Sequence, residues 1–266
     1  MKHFAKQYSL ATSIPRELHM QDTPPKYVVR NLELFDVLGE AWALTSGIKL
    51  SIWIPLMLAG LIGVLSGALF HFLSTVIQWK FAAFILPLWI VVAVYLLIYL
   101  GCCVVKTSIT IARVAPVTIA SAFSAFSQPF WPLFATIFLA AIALLPGVLL
   151  ARAGASWLGF FYDIIVGPLV YMSIPLIVDC INSPLVAISL SFKSARAHWL
   201  TLIGLFLMKR IIFGLISYAA IALFVLYAAS KSDGIIFLGL VLVLFCIRVV
   251  PFIYVMQGVV YHKLFD

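Results

Sequence analysis

Charge is what this sequence has least of. Only 10% of its 266 residues are Asp, Glu, Lys or Arg, and the acidic ones number nine. Average soluble domains carry about 25% charged residues, so the chain has too little polar surface to cover a globule in water. A soluble enzyme, a disordered regulator and a secreted disulfide scaffold are excluded together. Cysteine is nearly as sparse. Cys102, Cys103, Cys180 and Cys246 fall in no C-x-x-C or Cys/His spacing and lie in or beside apolar runs, which argues against zinc and against a disulfide framework. A glycine-rich phosphate loop, a G-x-S-x-G elbow and an H-E-x-x-H pair are also missing. No catalytic set, metal or cofactor is therefore expected. The net charge of +8 is assigned to membrane topology, where Lys and Arg gather on the cytosolic side, and no nucleic-acid partner is expected.

Apolar residues fill the sequence instead: 65% are hydrophobic and the mean hydropathy is +1.18. Crossing the hydrocarbon core as a helix takes about 20 apolar residues. Six stretches qualify: Leu50–Ile77, Phe81–Val105, Trp131–Ala151, Trp157–Cys180, Leu200–Ala229 and Ile235–Tyr261. The predicted fold is all-α, a polytopic protein with six transmembrane helices. Trp79, Trp89, Trp131, Trp157 and Trp199 fall near the ends of these spans, where aromatic belts form. Lys2, Lys6, Arg16, Lys26, Arg30, Lys49, Lys106, Arg113, Lys193, Arg196 and Lys263 lie on one side, against Lys80, Arg152 and Lys231 on the other. That asymmetry predicts an inner-membrane protein with both termini in the cytosol. Residues 1–33 have no apolar stretch behind their first charges, so they predict a disordered cytosolic tail rather than a signal peptide. Residues 34–266 form the single membrane domain.

The longer segments on the basic side carry helical periodicity. Leu185, Ile188, Phe192, Ala195 and Trp199 step by three and four, with Ser189, Lys193, Ser194 and Arg196 opposite. That spacing predicts an amphipathic interfacial helix, begun by an Ser183 cap and Pro184. The same pattern recurs 69 residues earlier at Ile119, Phe123, Phe126 and Phe130, and 150 residues earlier at Phe35, Leu38 and Trp42. A threefold internal repeat is predicted, each unit an interfacial helix followed by a membrane hairpin, over about 34–107, 116–182 and 184–261. A 68-residue shift superposes Pro116 on Pro184, Ser121 on Ser189, Trp131 on Trp199, Phe138 on Phe206 and Leu139 on Leu207.

The third unit contains Pro175-Leu-Ile-Val-Asp179, then Ser183-Pro184, Ala187-Ile188, Ser191-Phe192-Lys193 and Trp199. This run resembles the repeats of a poorly characterised group of bacterial inner-membrane proteins, and is similar to the membrane domain related to glycerophosphodiester phosphodiesterases. The resemblance covers about 25 residues well, implies a helical membrane fold, and brings no activity with it.

Charges inside spans are the first place to look for function. Lys209 and Arg210 flank the fifth span if the surface helix continues to about Met208; otherwise they belong, with Lys193 and Arg196, to a binding site for a lipid headgroup. Arg248 sits near mid-membrane, while Asp163 and Asp179 lie toward opposite ends of the fourth span. A bend at Pro251 is expected to bring Arg248 toward Asp179 as an ion pair; the alternatives are snorkelling to lipid phosphate or a place on a transport path. Gly63 and Gly67, with Ala59 and Gly60 a turn earlier, form a G-x-x-x-G helix-packing face, expected to pack within the monomer rather than between copies.

A non-enzymatic protein that organises lipid, or assists a membrane partner complex, fits this inventory, with anionic phospholipid as the expected partner. The alternative is a small-molecule or lipid transporter with a path near Arg248, Lys209 and Asp163. The two differ in an expected feature: a transporter shows a polar cavity reaching mid-membrane between the units, whereas an organiser is packed solid there. A membrane-embedded lipid enzyme ranks third.

Overall fold

The computed structural model describes residues 32–45, 50–76, 79–179, 183–230 and 233–266. Residues 1–31 of the expected tail, together with Lys49, Cys180 and Lys231, lie outside them. The helices are α1 (Leu34–Leu44), α2 (Leu50–Val76), α3 (Trp79–Ala112), α4 (Ile119–Ala122), α5 (Phe130–Arg152), α6 (Ser156–Val170), α7 (Ser173–Asp179), α8 (Pro184–Ala197), α9 (Trp199–Ser230) and α10 (Asp233–Phe265). No strand occurs among the described residues. Six segments are long and apolar enough to cross a membrane: Leu50–Phe72, Leu86–Ala112, Phe130–Arg152, Ser156–Asp179, Trp199–Tyr227 and Leu238–Phe265. The protein is an all-α, multi-pass membrane protein.

Short helix, long helix, long helix is the order of elements three times over. α2 packs on α3, α5 on α6, and α9 on α10, each pair a hairpin. The α5–α6 turn is closed by Gly154 at φ +89, where the Ala155 N–H donates to the Leu150 carbonyl. Between hairpins the largest interface is α3 against α10, and the second hairpin meets the others through α6 on α9 and α7 on α3.

The core sits at one end. Buried side chains concentrate in Tyr99–Ala112, Val170–Val178 and Val249–Phe265, together with Val37, Ala41, Ala187, Ala195, Leu202 and Leu205. This end, called the base, also holds the short helices and the joins between hairpins. Toward the far end the side chains splay outward: Leu61, Val64 and Leu65 of α2, Leu145, Val148 and Leu149 of α5, and Tyr218 and Ile221 of α9 are all exposed. So much outward apolar surface has its natural solvent in acyl chains, which also explains why the backbone there is wholly helical.

α3 and α10 approach most closely at Gly258. A Cβ on Gly258 would run into the backbone carbonyl of Ser108, so only glycine allows this crossing. The expected packing at Gly63 and Gly67 is corrected: added Cβ atoms on Gly60, Gly63 and Gly67 meet nothing within 4 Å. That face of α2 points away from the rest of the monomer.

Three further expectations change. The segment before α5 is not a regular amphipathic helix but one α turn followed by a 3-10 turn, Phe123–Ser127. Its serines recur every third residue, and Ser121, Ser124 and Ser127 each donate a side-chain bond to the carbonyl three residues back. Such local bonds compete with the α ladder and favour the tighter three-residue turn. The expected apolar faces of the other two short helices are also turned. α8 buries Ala187, Ser191, Ser194 and Ala195, leaving Leu185 and Phe192 exposed, and α1 buries Val37 and Ala41, leaving Phe35 and Trp42 exposed. Small side chains let these helices lie close on the bundle, so the large apolar ones face outward. The tail ends earlier than expected: Leu32 is buried, and the Thr201 hydroxyl donates to its carbonyl at 2.8 Å.

Candidate functional site

The charges expected near the fourth to sixth spans do not assemble as the sequence suggests. Asp179, at the base end of α7, pairs with Arg113 rather than Arg248. The Arg113 guanidinium donates to both Asp179 oxygens at 2.9 and 2.7 Å, and to both Asp266 oxygens at 2.6 Å. Tyr261 donates its hydroxyl to Asp179 at 2.8 Å, and the His262 ring lies 3.0 Å from Asp266. Arg113 follows α3, Asp179 ends α7 and Asp266 follows α10, so one cation gathers the base ends of all three hairpins. The same end carries a Lys263–Glu40 pair at 2.9 Å, between α10 and α1. Burial raises the Asp266 carboxyl, but hydrogen bonds from His262 and Arg113 outweigh it and hold the pKa at about 2, below the ordinary 3.8.

Arg248 lies instead over the Trp42 ring, 4.4 Å from its centroid, and Trp42 in turn meets Phe252 edge-on. A long side chain finding an aromatic face is the same economy as snorkelling, with an indole in place of a phosphate.

Lys209 and Arg210 neither follow a continued surface helix nor flank a span. The helix breaks at His198 (φ −122, ψ 35), and α9 then runs unbroken from Trp199, which puts the two cations about 15 Å along it. Arg210 pairs with Asp163 at 2.5 Å and covers the Phe206 ring. The other carboxylate oxygen of Asp163, Oδ1, is buried without a hydrogen bond among the described residues. Lys209 has no carboxylate within 4 Å among the described residues, and its Nζ lies 5.2 Å from the centre of the Tyr171 ring. Lys193 and Arg196 stay on the exposed side of α8. The four candidate cations thus divide between two places.

Between the hairpins, about a dozen residues in from the base ends of their helices, is a cavity of about 350 Å³. Its walls come from α3, α5, α6, α7, α9 and α10 and are mostly aliphatic and aromatic. Lys209, Tyr171, Tyr254 and Gln257 are the polar side chains in its lining. The interior between the units is neither packed solid, as expected of an organiser, nor the polar cavity expected of a transporter. Of the three residues named for a transport path, only Lys209 lines this cavity; Asp163 and Arg248 do not.

The break between α6 and α7, at Tyr171 and Met172, shapes that wall. Pro175 has no N–H to give to the Tyr171 carbonyl four residues back, and Gln257 of α10 donates to that carbonyl instead, at 3.1 Å. Ser191 of α8 closes the other side of the break, donating to the Leu169 carbonyl at 2.6 Å and accepting from the Met172 N–H at 3.2 Å. Ser191→Ala is expected to leave two buried backbone groups unpaired and to lower stability by about 1–3 kcal/mol. Thermal unfolding in detergent measures this; an unchanged midpoint would mean that the break satisfies itself. Pro168 and Pro175 signal the break in the sequence, but nothing there marks Ser191 or Gln257 as its partners.

Comparison with known protein families, with curated proteins and with solved structures gives no match to this chain. The residues themselves carry the functional argument.

Proposed function

We propose that this chain is a non-enzymatic protein of the bacterial inner membrane, of the kind its segment from Pro175 to Trp199 resembles, and that its base gathers anionic phospholipid. The base faces the cytosol and both termini lie there, in keeping with the eleven basic residues on that side against three on the other. The outer face of α8 carries this reading. There Leu185, 71% exposed, and Phe192, 42% exposed, stand beside the exposed Lys193 and Arg196. An interfacial helix binds by sinking apolar side chains among acyl chains while Lys and Arg reach phosphate. Each such cation near an anionic leaflet contributes about 1 kcal/mol. Phe35, on α1, is a further exposed apolar side chain at the base.

Changing Lys193 and Arg196 together to Gln is expected to lower the anionic share of co-purified phospholipid several-fold while the protein remains folded and correctly inserted. Lipid mass spectrometry of the purified protein reads the first. Labelling of a cysteine placed at the exposed Ala153 of the α5–α6 turn, accessible only from outside the cell, reads the second. If lipid composition is unchanged in the correctly inserted variant, the two charges serve topology alone. The cavity between the hairpins supports a second reading, capture or passage of an amphiphile, because its lining is mostly apolar with Lys209 in the wall.

A further inference from the structure

We propose that the cavity between the hairpins is a binding site for an amphiphile with an anionic head, a carboxylate or a phosphate on an apolar chain. It is distinct from the lipid-gathering face of α8 and shares no residue with it. Three independent features meet there. The first is a cation without an anion: Lys209 lines the cavity and has no carboxylate within 4 Å among the described residues, since its neighbour Arg210 takes Asp163. A lone ammonium at this depth is costly unless something answers it, and the Tyr171 ring gives it only the weak attraction of a π face.

The second feature is a donor with nothing to donate to. Tyr171 is 6% exposed and lines the same cavity, and its hydroxyl has no hydrogen-bond partner among the described residues. Both its ring and its backbone are held. Phe206 meets it edge-on at 6.3 Å, and its carbonyl is held by Gln257. The Lys209 ammonium in the wall is a donor, the complement of an anionic oxygen, and the covered Tyr171 hydroxyl behind it is a second.

The third feature is shape. The volume is that of a small-ligand pocket, enough for a head and the first part of a chain but not for a whole two-chain lipid. Gly101 and Leu97, on the α3 wall, are both exposed, and a Cβ added at Gly101 meets nothing within 4 Å. That wall is the open side, so a tail leaves between helices into the bilayer. The apolar lining selects an amphiphile over a free anion, which would surrender its hydration without return.

Native mass spectrometry of the full-length protein in neutral detergent tests the site with four probes: oleate, phosphatidylglycerol, oleyl alcohol and inorganic phosphate. One-to-one binding of oleate or phosphatidylglycerol is expected, and which of them binds more tightly tells whether the head is a carboxylate or a lipid phosphate. Oleyl alcohol and inorganic phosphate are expected to bind at least about tenfold more weakly, the cost of a lost charge-assisted hydrogen bond or of a lost chain. Lys209→Met, which keeps the bulk and drops the charge, is expected to weaken the acid by about tenfold, and Tyr171→Phe by a smaller factor. Gly101→Trp leaves both donors in place and is expected to block the mouth. Lys193→Gln with Arg196→Gln leaves this binding unchanged, so failure of the α8 reading and failure of this one are told apart. Equal binding of acid and alcohol, binding of inorganic phosphate alone, or acid binding that survives both Lys209→Met and Gly101→Trp overturns the proposal.

Discussion

Replacing Arg113 by Met is expected to be among the most damaging single changes at the base. The substitution removes the only bonds between Asp179 and Asp266 that pass through a shared cation, and leaves two carboxylates facing each other. Exposed ion pairs contribute about 0–1 kcal/mol, while breaking a buried pair costs about 3–5 kcal/mol. The Arg113 side chain is 33% exposed and Asp179 only 13%, so a loss of roughly 2–3 kcal/mol lies between these limits. Thermal unfolding in detergent measures it. A double-mutant cycle with Asp179→Asn should be strongly less than additive, because neutralising the carboxylate removes the repulsion that Arg113→Met uncovers.

The same cluster has a sign in pH. The Asp266 carboxyl is held at about 2 against an ordinary 3.8. A depressed carboxyl adds stability that is complete above the ordinary value and lost as pH falls through the folded one. Wild-type stability should therefore drop between about pH 4 and pH 2 by more than that of Arg113→Met. Equal slopes in the two proteins would place the acid-sensitive group elsewhere.

The second large effect is expected at Gly258. An added Cβ there meets the Ser108 backbone, with the carbonyl carbon 2.5 Å away and the Ile109 nitrogen 3.0 Å away. Backbone cannot swing aside as a side chain can, so Gly258→Val must push α10 off α3. Overpacking a core costs about 1–3 kcal/mol, and here the upper end or more is expected, since α3 and α10 form the largest contact between hairpins. Folded yield by size-exclusion chromatography should fall sharply. Gly63→Ala on the open face of α2 provides the matched control: it gains helix propensity of about 1 kcal/mol at no steric cost. If both variants behave alike, the closeness of the α3–α10 crossing is not what holds the hairpins together.

Composition and periodicity were sufficient for the spans. Six spans, their hairpin pairing and two of the three short helices could be read because a chain without water partners must form uninterrupted helices, and 20-residue apolar runs show where. The faces of α1 and α8 could not be read the same way. Periodicity identifies a stripe of large apolar residues and assumes that it is buried, but in a membrane protein the outside is apolar as well, so the small residues Ala187 and Ser191 take the inside. The same ambiguity put Gly63 and Gly67 in the wrong place. The partners of the charges were out of reach for another reason. Arg113, Asp179 and Asp266 are far apart in sequence; Arg113 lies outside the spans and reads as a topology charge, and nothing local says which carboxylates it meets. The central cavity is invisible in a single sequence, because a void leaves no residue to mark it.

The Arg113 cluster also sets an order on how the molecule is made. Arg113 and Asp266 are 153 positions apart. At about 5–20 residues per second of synthesis, Arg113 waits roughly 8–30 s for Asp266 to be made. During that interval the second hairpin is made and inserted beside the first, and both still lack α10, which forms the largest contact between hairpins with α3. Until then the first two hairpins have their own contact of α7 on α3 and the Arg113–Asp179 pair, without the second carboxylate. Assembly of the base is a late event, completed only when the sixth span has been threaded and its end has folded back onto the first.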